Sequence, residues 1–132
     1  MPTLSFKKQF AEAVASGEKR QTIRAPRKRP FKKGDRLYLY TGMRTKACRK
    51  LGEAVASTVQ DISIGTHDGE PAVAVGVDHG FFVLKGEDLK RFAKRDGFDS
   101  TEEFLEFFRI NHGPKFLGQL IMWEEVNHAN QA

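Results

Sequence analysis

The sequence has little that is typical of secreted, disulfide-bonded or membrane-spanning proteins. Cys48 is the only cysteine, which excludes an internal disulfide and a cysteine-rich zinc site. Residues 1–10 lack the apolar core of a signal peptide. No apolar run approaches the ~18 residues that a membrane-spanning helix needs. We therefore expect a cytoplasmic protein with a reduced thiol and no membrane partner.

Motifs for metals and common cofactors are also missing. The histidines are scattered without the spacing of metal ligands and stand at positions 67, 79, 112 and 128. The sequence contains no Walker loop, dinucleotide glycine fingerprint or Ser-His-Asp arrangement. We expect no resident metal and no cofactor.

Acidic residues are scarce in the first part of the chain. Residues 1–50 carry fifteen Lys or Arg against three acids, whereas the remaining residues carry seven against fourteen. The net charge of +5 therefore conceals a strongly basic first part and an acidic second part. Such a field favours phosphate-bearing ligands, so the expected partners are RNA or a nucleotide, although a basic face can also serve only solubility.

The patterns of apolar residues predict one α+β domain. The chain has 132 residues, of which 39% are hydrophobic, enough for one core. Apolar residues recur at helical spacing over 5–17, 86–98 and 99–114. Ser5 and Gly17 are predicted to begin and end the first helix, and Ser100 and Glu103 form a capping box for the third. Alternation and β-branched residues predict strands over 36–42, 53–64, 71–77 and 116–126.

The basic segment is predicted to begin as a short extended stretch over 19–24. Alternation along it directs Thr22 and Arg24, together with Arg20, to one side. Gln21 and Ile23 point to the other side. Residues 25–35 follow as an irregular loop, because their two prolines prevent regular structure.

Three stretches together resemble the ASCH domain family. They are SFKKQFAEAVASGEKRQTIR, FKKGDRLYLYTGMRT and AKRDGFDSTEEFLEFF, and the resemblance runs from about Phe6 to Trp123. The resemblance implies a PUA-like fold, a small twisted β-barrel with about three flanking helices. It implies a single domain over residues 1–132, with a cleft lined by the basic segment. Residues from about 127 are expected to form a frayed tail.

The resemblance also implies a chemistry and its residues. Some small ASCH proteins are amidohydrolases that remove the acyl group from N4-acetylcytidine, using a Lys, a Thr and an acid. Carried onto this sequence, these are Lys19 as base, Thr22 as nucleophile and Asp96 as acid. The characterised amidohydrolases have Glu at the position of Asp96, so the shorter side chain is expected to stop about an ångström short unless the backbone moves inward. Other members of the family are ribonucleases or RNA binders.

Physical chemistry supports this set without the family. A Thr hydroxyl is a poor nucleophile until a base removes its proton, and a Lys does so only when its pKa falls well below ~10.4. Burial or nearby cations lower that pKa. Arg24 can hold a carbonyl oxygen or a phosphate, and Asp96 can orient the Lys or protonate a leaving amine. Alternatively, Asp96 simply lies at a helix end and the basic residues are solvated.

Further residues are candidates for contacting RNA or a cytidine-like nucleoside or nucleotide. They are Arg20, Arg24, Arg27, Lys32, Lys33, Tyr40, Arg44 and Lys46. Tyr40 shares a strand face with Tyr38 and can stack on a base or simply pack. Three functions stay open: an RNA-binding module, a metal-independent amidohydrolase acting on N4-acylcytidine-type ligands, and a ribonuclease for single-stranded RNA. We expect the protein to be a monomer.

Overall fold

The computed structural model describes residues 3–128 as an α+β fold of seven strands and three helices. The strands are β1 (Thr3–Phe6), β2 (Gln21–Arg24), β3 (Arg36–Thr41), β4 (Arg49–His67), β5 (Glu70–Val77), β6 (Gly80–Leu84) and β7 (Phe116–Trp123). The helices are α1 (Lys8–Ser16), α2 (Gly86–Arg95) and α3 (Thr101–His112). This confirms the predicted fold class with three flanking helices. None of the described helices is long and apolar enough to cross a membrane.

The 19-residue strand β4 organises the sheet. Its first part pairs antiparallel with β3, and residues 62–64 pair with β5 and β7 at the same time. The remaining strands extend these pairs: β1 lies parallel to β3, β6 lies beside β5, and β2 lies antiparallel to β7. A single long strand therefore joins all the sheet's parts.

The sheet does not close into the expected barrel. Within residues 3–128, β1 pairs with β3 and β2 pairs with β7, but no pairing joins β1 to β2. Each of these edge strands has only four residues, and side chains of α3, including Phe107 and Phe108, line the space between them. The result is an opening in the sheet that becomes important below.

An aromatic cluster packs the helices together beside this opening. Phe98, in the connection between α2 and α3, makes edge-on contacts with Phe10 of α1 and with Phe104 and Phe107 of α3. The ring centroids are 5.2 to 5.5 Å apart, a favourable spacing for edge-on packing. These contacts fix the chain immediately after α2 against α1.

The beginning of the chain differs from the prediction. Residues 3–6 form a strand, and α1 begins at Lys8 without a side-chain cap, so the predicted capping by Ser5 is wrong. Leu4 and Phe6 are both buried, and this two-residue period competes with the four-residue spacing of Phe6 and Phe10. The predicted end of the helix is correct, because Gly17 takes a left-handed conformation with φ of 86°.

The sequence did not predict one of the strands or the start of another. The strand β6 was not predicted, although its pairing with β5 continues the sheet. The strand β4 begins at Arg49, four residues before the start of the strand predicted over 53–64. Ser100 accepts a hydrogen bond from the backbone of Glu103 at 3.1 Å, as the capping box predicts. The Glu103 carboxylate instead accepts one from the backbone of Asp99.

The chain beyond β7 remains attached to the domain. The backbone of Asn127 exchanges two hydrogen bonds with that of Glu53, at 2.7 and 3.0 Å, and His128 Nε2 lies 3.0 Å from the carbonyl oxygen of Ala15. The tail predicted from about residue 127 is therefore not frayed at 127 and 128. Residues 129–132, which complete that prediction, lie outside the described residues.

Substitution of Gly118 by Ala should destabilise the protein because β2 and β7 approach closely there. A Cβ atom at this position would lie 2.2 Å from the carbonyl oxygen of Arg24 and 2.6 Å from the Phe116 ring. We expect a loss of roughly 1–3 kcal/mol in the free energy of unfolding, measured in urea. Gly65→Ala is the matched control, since a Cβ there meets nothing within 4 Å. An equal loss in both variants would contradict this account.

Candidate active site

A cleft of about 400 Å³ occupies the opening between β1 and β2. It lies toward the lower end of the ~300–1,000 Å³ usual for small-molecule sites. Its lining residues come from β1, α1, β2, α3 and their connections: Ser5, Phe6, Lys7, Phe10, Lys19, Thr22, Ile23, Arg24, Ala25, Asp96, Phe98, Phe107, Phe108, Asn111 and His112. The cleft therefore brings together all three residues predicted to be catalytic.

Lys19 is held in the wall of the cleft by the turn that follows α1. Gly17 ends the helix, and the backbone N–H of Lys19 then donates to the carbonyl oxygen of Ala13 at 2.9 Å. The side chain is only 3% exposed. Its ammonium nitrogen donates to the backbone oxygen of Asp96 and lies 3.3 Å from Oδ1 of the same residue.

Asp96 reaches Lys19 because it caps the C-terminus of α2. Its backbone N–H bonds to the last turn of the helix, and Gly97 follows with a φ of 98° that turns the chain toward Phe98. A Cβ at Gly97 would lie 2.9 Å from the Phe10 ring and 3.2 Å from Lys19 Cδ. The backbone after Asp96 therefore lies close to the Lys19 side chain.

Burial dominates the electrostatics of this pair. Burial lowers the pKa of Lys19, against the attraction of Asp96, and the charge of Arg24 lowers it further. Burial also raises the pKa of Asp96, although Lys19, Gln21 and Arg24 each oppose that shift. Burial therefore shifts the pKa of each group toward its neutral form. A general base and a general acid need shifts in these directions.

Thr22 and Arg24 form a second pair in the same cleft. As the alternation of β2 predicts, their side chains point the same way, and Arg24 Nε donates to Thr22 Oγ1 at 3.0 Å. The Arg24 guanidinium lies over the Phe6 ring at 4.8 Å. Burial lowers the pKa of Arg24 to about 10, against the attraction of Asp96. Since Thr22 accepts this bond, its own hydroxyl hydrogen stays available for transfer to a base.

The two pairs are not joined directly. Within residues 3–128, the hydrogen bonds of Lys19 Nζ go to Asp96, and none connects it with Thr22. Lys19 must therefore turn away from Asp96, or act through a water, before it can take the Thr22 proton.

Other residues predicted to bind a ligand lie outside the cleft. Arg20 donates to the backbone oxygen of Glu124, and Arg27 stacks on Phe31 at 4.1 Å beside a separate groove of about 640 Å³. Lys33 borders a third hollow, and Tyr40 is half-buried on β3. Exposed positions are Lys32, Arg44 and Lys46. Arg24 is thus the one predicted ligand-binding residue that the structure places with the catalytic candidates.

Some residues at the site were not predicted. Gln21 is only 2% exposed and donates to Asp96 Oδ1 at 3.1 Å. The sequence signal that could have revealed Gln21 was its position two residues after Lys19, because side chains at that spacing on an extended chain point the same way. Asn111 and His112 line the cleft from α3, which the sequence predicted only as a helix. In residues 3–128, no group of three His, Cys, Asp or Glu side chains is placed to hold a metal ion.

Substitution of Asp96 by Ala should destabilise the protein by about 3–5 kcal/mol at pH 7, because Lys19 stays buried without its partner. The deficit should shrink as pH rises. In the folded variant the pKa of Lys19 lies further below that of an unfolded lysine, because Asp96 no longer raises it. Between these two pKa values the unfolded chain binds more protons than the folded chain, so stability rises with pH up to the unfolded lysine pKa. Urea unfolding at several pH values measures this.

The matched control is Asp99→Ala, which makes the same change at an exposed position three residues later. It should alter stability by less than about 0.5 kcal/mol. A deficit in Asp96→Ala that stays constant with pH would contradict the shifted pKa of Lys19.

Comparison with solved structures identifies the fold. No protein-family model and no curated protein matches the sequence. The structure is similar to the ASCH protein of Zymomonas mobilis, with 16% identity and a TM-score of 0.51 over 95% of this chain and 67% of that one. Two substitution variants of that protein give TM-scores of 0.53 and 0.52 at 17% and 15% identity, covering 95% of this chain and 68% and 69% of theirs. The chain therefore has the ASCH-domain fold.

Proposed function

We propose that the protein is a metal-independent amidohydrolase that cleaves N4-acylcytidine-type ligands in the cleft between β1 and β2. One observation carries the proposal: the buried Lys19–Asp96 pair lines the same cleft as the Thr22–Arg24 pair. A buried acid and base whose pKa values shift toward neutrality are typical of catalytic sites. A site that only binds an anion has no need of a buried carboxylic acid.

The shape of the cleft supports a small, flat substrate. Its volume of about 400 Å³ suits a single nucleoside better than a strand. Phe6, Phe107 and Phe108 are among its walls and offer surfaces for stacking a pyrimidine ring. The basic loop that would follow an RNA backbone lies outside this cleft. The choice of an acylated cytidine rests on the sequence resemblance to the ASCH amidohydrolases.

The first chemical step forms a bond between Thr22 and the acyl group. Neutral Lys19 removes the proton from Thr22 Oγ1, and the oxygen attacks the amide carbonyl carbon. The carbonyl π electrons move to its oxygen, which becomes an oxyanion. In this proposal Arg24, which is hydrogen-bonded to Thr22, stabilises this charge.

The second step releases the amine, and the third restores the enzyme. The C–N bond breaks as its nitrogen takes the proton of the Asp96 carboxyl group, leaving an ester on Thr22 and an Asp96 carboxylate. That carboxylate then removes a proton from water, whose oxygen attacks the ester. The departing Thr22 oxygen recovers its proton from the Lys19 ammonium. Acid, base and nucleophile all return to their starting states.

RNA binding is the second candidate, and the exposed basic loop favours it. Arg27, Lys28, Arg29, Lys32 and Lys33 are all exposed outside the cleft. Such cations bind phosphates without regard to sequence, and affinity falls steeply with salt. Salt-dependent binding of an RNA oligonucleotide, with no turnover of acylcytidine, would favour this candidate. Cleavage of the oligonucleotide would instead indicate a ribonuclease.

The purified protein should release cytidine and acetate from N4-acetylcytidine, measured by chromatography. Thr22→Ala should abolish turnover, and Lys19→Ala should reduce kcat by at least about 100-fold, since it removes the general base. The matched controls are Thr58→Ala and Lys90→Ala, both at exposed positions. Circular dichroism and urea unfolding check that each variant is folded. No turnover by the wild-type protein, or full activity in Thr22→Ala, would contradict the proposal.

Asp96→Glu should lower activity. Asp96 already lies within 3.3 Å of Lys19 and is only 3% exposed, so an added methylene would displace the carboxyl group or Lys19. Because misplacement by about an ångström can cost up to ~100-fold in rate, we expect a fall in kcat of about tenfold or more. Initial rates of the two proteins measure the effect. A rise in kcat would mean that the shorter acid limits catalysis, contrary to the observed contact.

A further inference from the structure

Gln21 contacts the acid of the site but not the cleft itself. It lies in β2, paired with Met122 of β7, and its side chain is 2% exposed. Its amide nitrogen donates to Asp96 Oδ1 at 3.1 Å. Its side chain does not contribute to the lining of the cleft, so its contact with the chemistry runs through Asp96.

The Asp96 carboxyl group has two unequal oxygens. Oδ1 faces two donors, Gln21 Nε2 at 3.1 Å and Lys19 Nζ at 3.3 Å. In the described part of the chain, residues 3–128, no donor is hydrogen-bonded to Oδ2. Lys19 lies two residues before Gln21, the first residue of β2, and side chains two residues apart on an extended chain point the same way. A single carboxyl oxygen, Asp96 Oδ1, therefore contacts both Lys19 and Gln21.

This asymmetry decides where an acidic proton resides. A protonated carboxyl group accepts hydrogen bonds more strongly at its carbonyl oxygen than at its hydroxyl oxygen, and an amide N–H can only donate. With Gln21 donating to Oδ1, that atom is favoured as the carbonyl oxygen, and the proton is favoured on Oδ2. Lys19 as a free amine does not fix the proton in this way, because an amine nitrogen both donates and accepts. Gln21 is the neighbour that sets the orientation without taking part in proton transfer.

We propose that Gln21 is a positioning residue that holds Asp96 Oδ1 as the acceptor and keeps the transferable proton on Oδ2 for the leaving amine. This inference rests on the proposed amidohydrolase function. It assigns Gln21 an effect on the rate of bond cleavage and little effect on substrate binding.

The test substitutes Gln21 by Leu, which keeps similar volume and removes the donor. We expect kcat on N4-acetylcytidine to fall by about 10- to 100-fold, with KM changed less than about twofold, because an interaction with the acid and not with the substrate is lost. The hydrogen bond from Gln21 lowers the pKa of Asp96, against the larger raising effect of burial, so the loss of this bond should raise that pKa further. A 13C NMR titration of the Asp96 carboxyl carbon measures this pKa and does not require turnover.

Two further variants make the result specific. Gln60→Leu is the matched control, because the Gln60 amide donates to the carbonyl oxygen of Gly76, away from the cleft. It should leave both kcat and the Asp96 titration unchanged. Gln21→Glu retains the size of the side chain and, when ionised, offers no donor. It should raise the pKa of Asp96 at least as much as Leu, and it provides the test if the Leu variant fails to fold.

The outcomes separate this inference from the proposed function. If the wild-type protein does not hydrolyse the substrate, the proposed function fails, and the role of Gln21 in that reaction fails with it. The titration then still tests whether Gln21 holds the Asp96 carboxyl group. If the pKa of Asp96 is the same in wild-type, Gln21→Leu and Gln21→Glu proteins, Gln21 does not hold the carboxyl group and the inference is overturned.

Discussion

The buried contact between Lys19 and Asp96 is the interaction on which the site depends. It links the turn after α1 to the C-terminus of α2, and both side chains are only 4% exposed. Bringing two ionisable groups out of water is costly unless they are paired or neutral. The aromatic cluster around Phe98 holds the chain after α2 against α1 and α3. The same packing that stabilises the fold therefore shifts the pKa values toward those of a base and an acid.

The incomplete closure of the sheet gives this pair access to a ligand. A barrel closed between β1 and β2 would fill the space with backbone hydrogen bonds and exclude a substrate. Instead, the two short edge strands leave a gap that α3 lines with aromatic side chains. Arg24 and Thr22 face this gap from β2, because the two-residue period of a strand keeps them together. Strand edges, normally a liability, form the site here.

Local patterns in the sequence predicted much of this arrangement. The alternation of β2 correctly placed Thr22 beside Arg24, and the Gly17 signal correctly ended α1. The strand β1 was missed because Phe6 satisfies a helical spacing and a strand spacing equally well. The contacts of Asp96 with Lys19 and Gln21 join residues more than seventy positions apart, so no local pattern contains them. The sequence also could not predict that the basic residues lie on several faces of the protein, because this depends on the path of the loop over residues 25–35.

The proposed mechanism needs Lys19 to lose its proton more readily than an ordinary lysine does, as its burial favours. The most direct measurement is the 15N chemical shift of Lys19 Nζ as a function of pH, assigned with the Lys19→Ala variant. The mechanism predicts a pKa for Lys19 below the ordinary lysine value of ~10.4, and therefore an amine signal at a lower pH than an ordinary lysine shows. An ammonium signal that persists up to that ordinary value would show a permanent ion pair, and Lys19 would then not be the base.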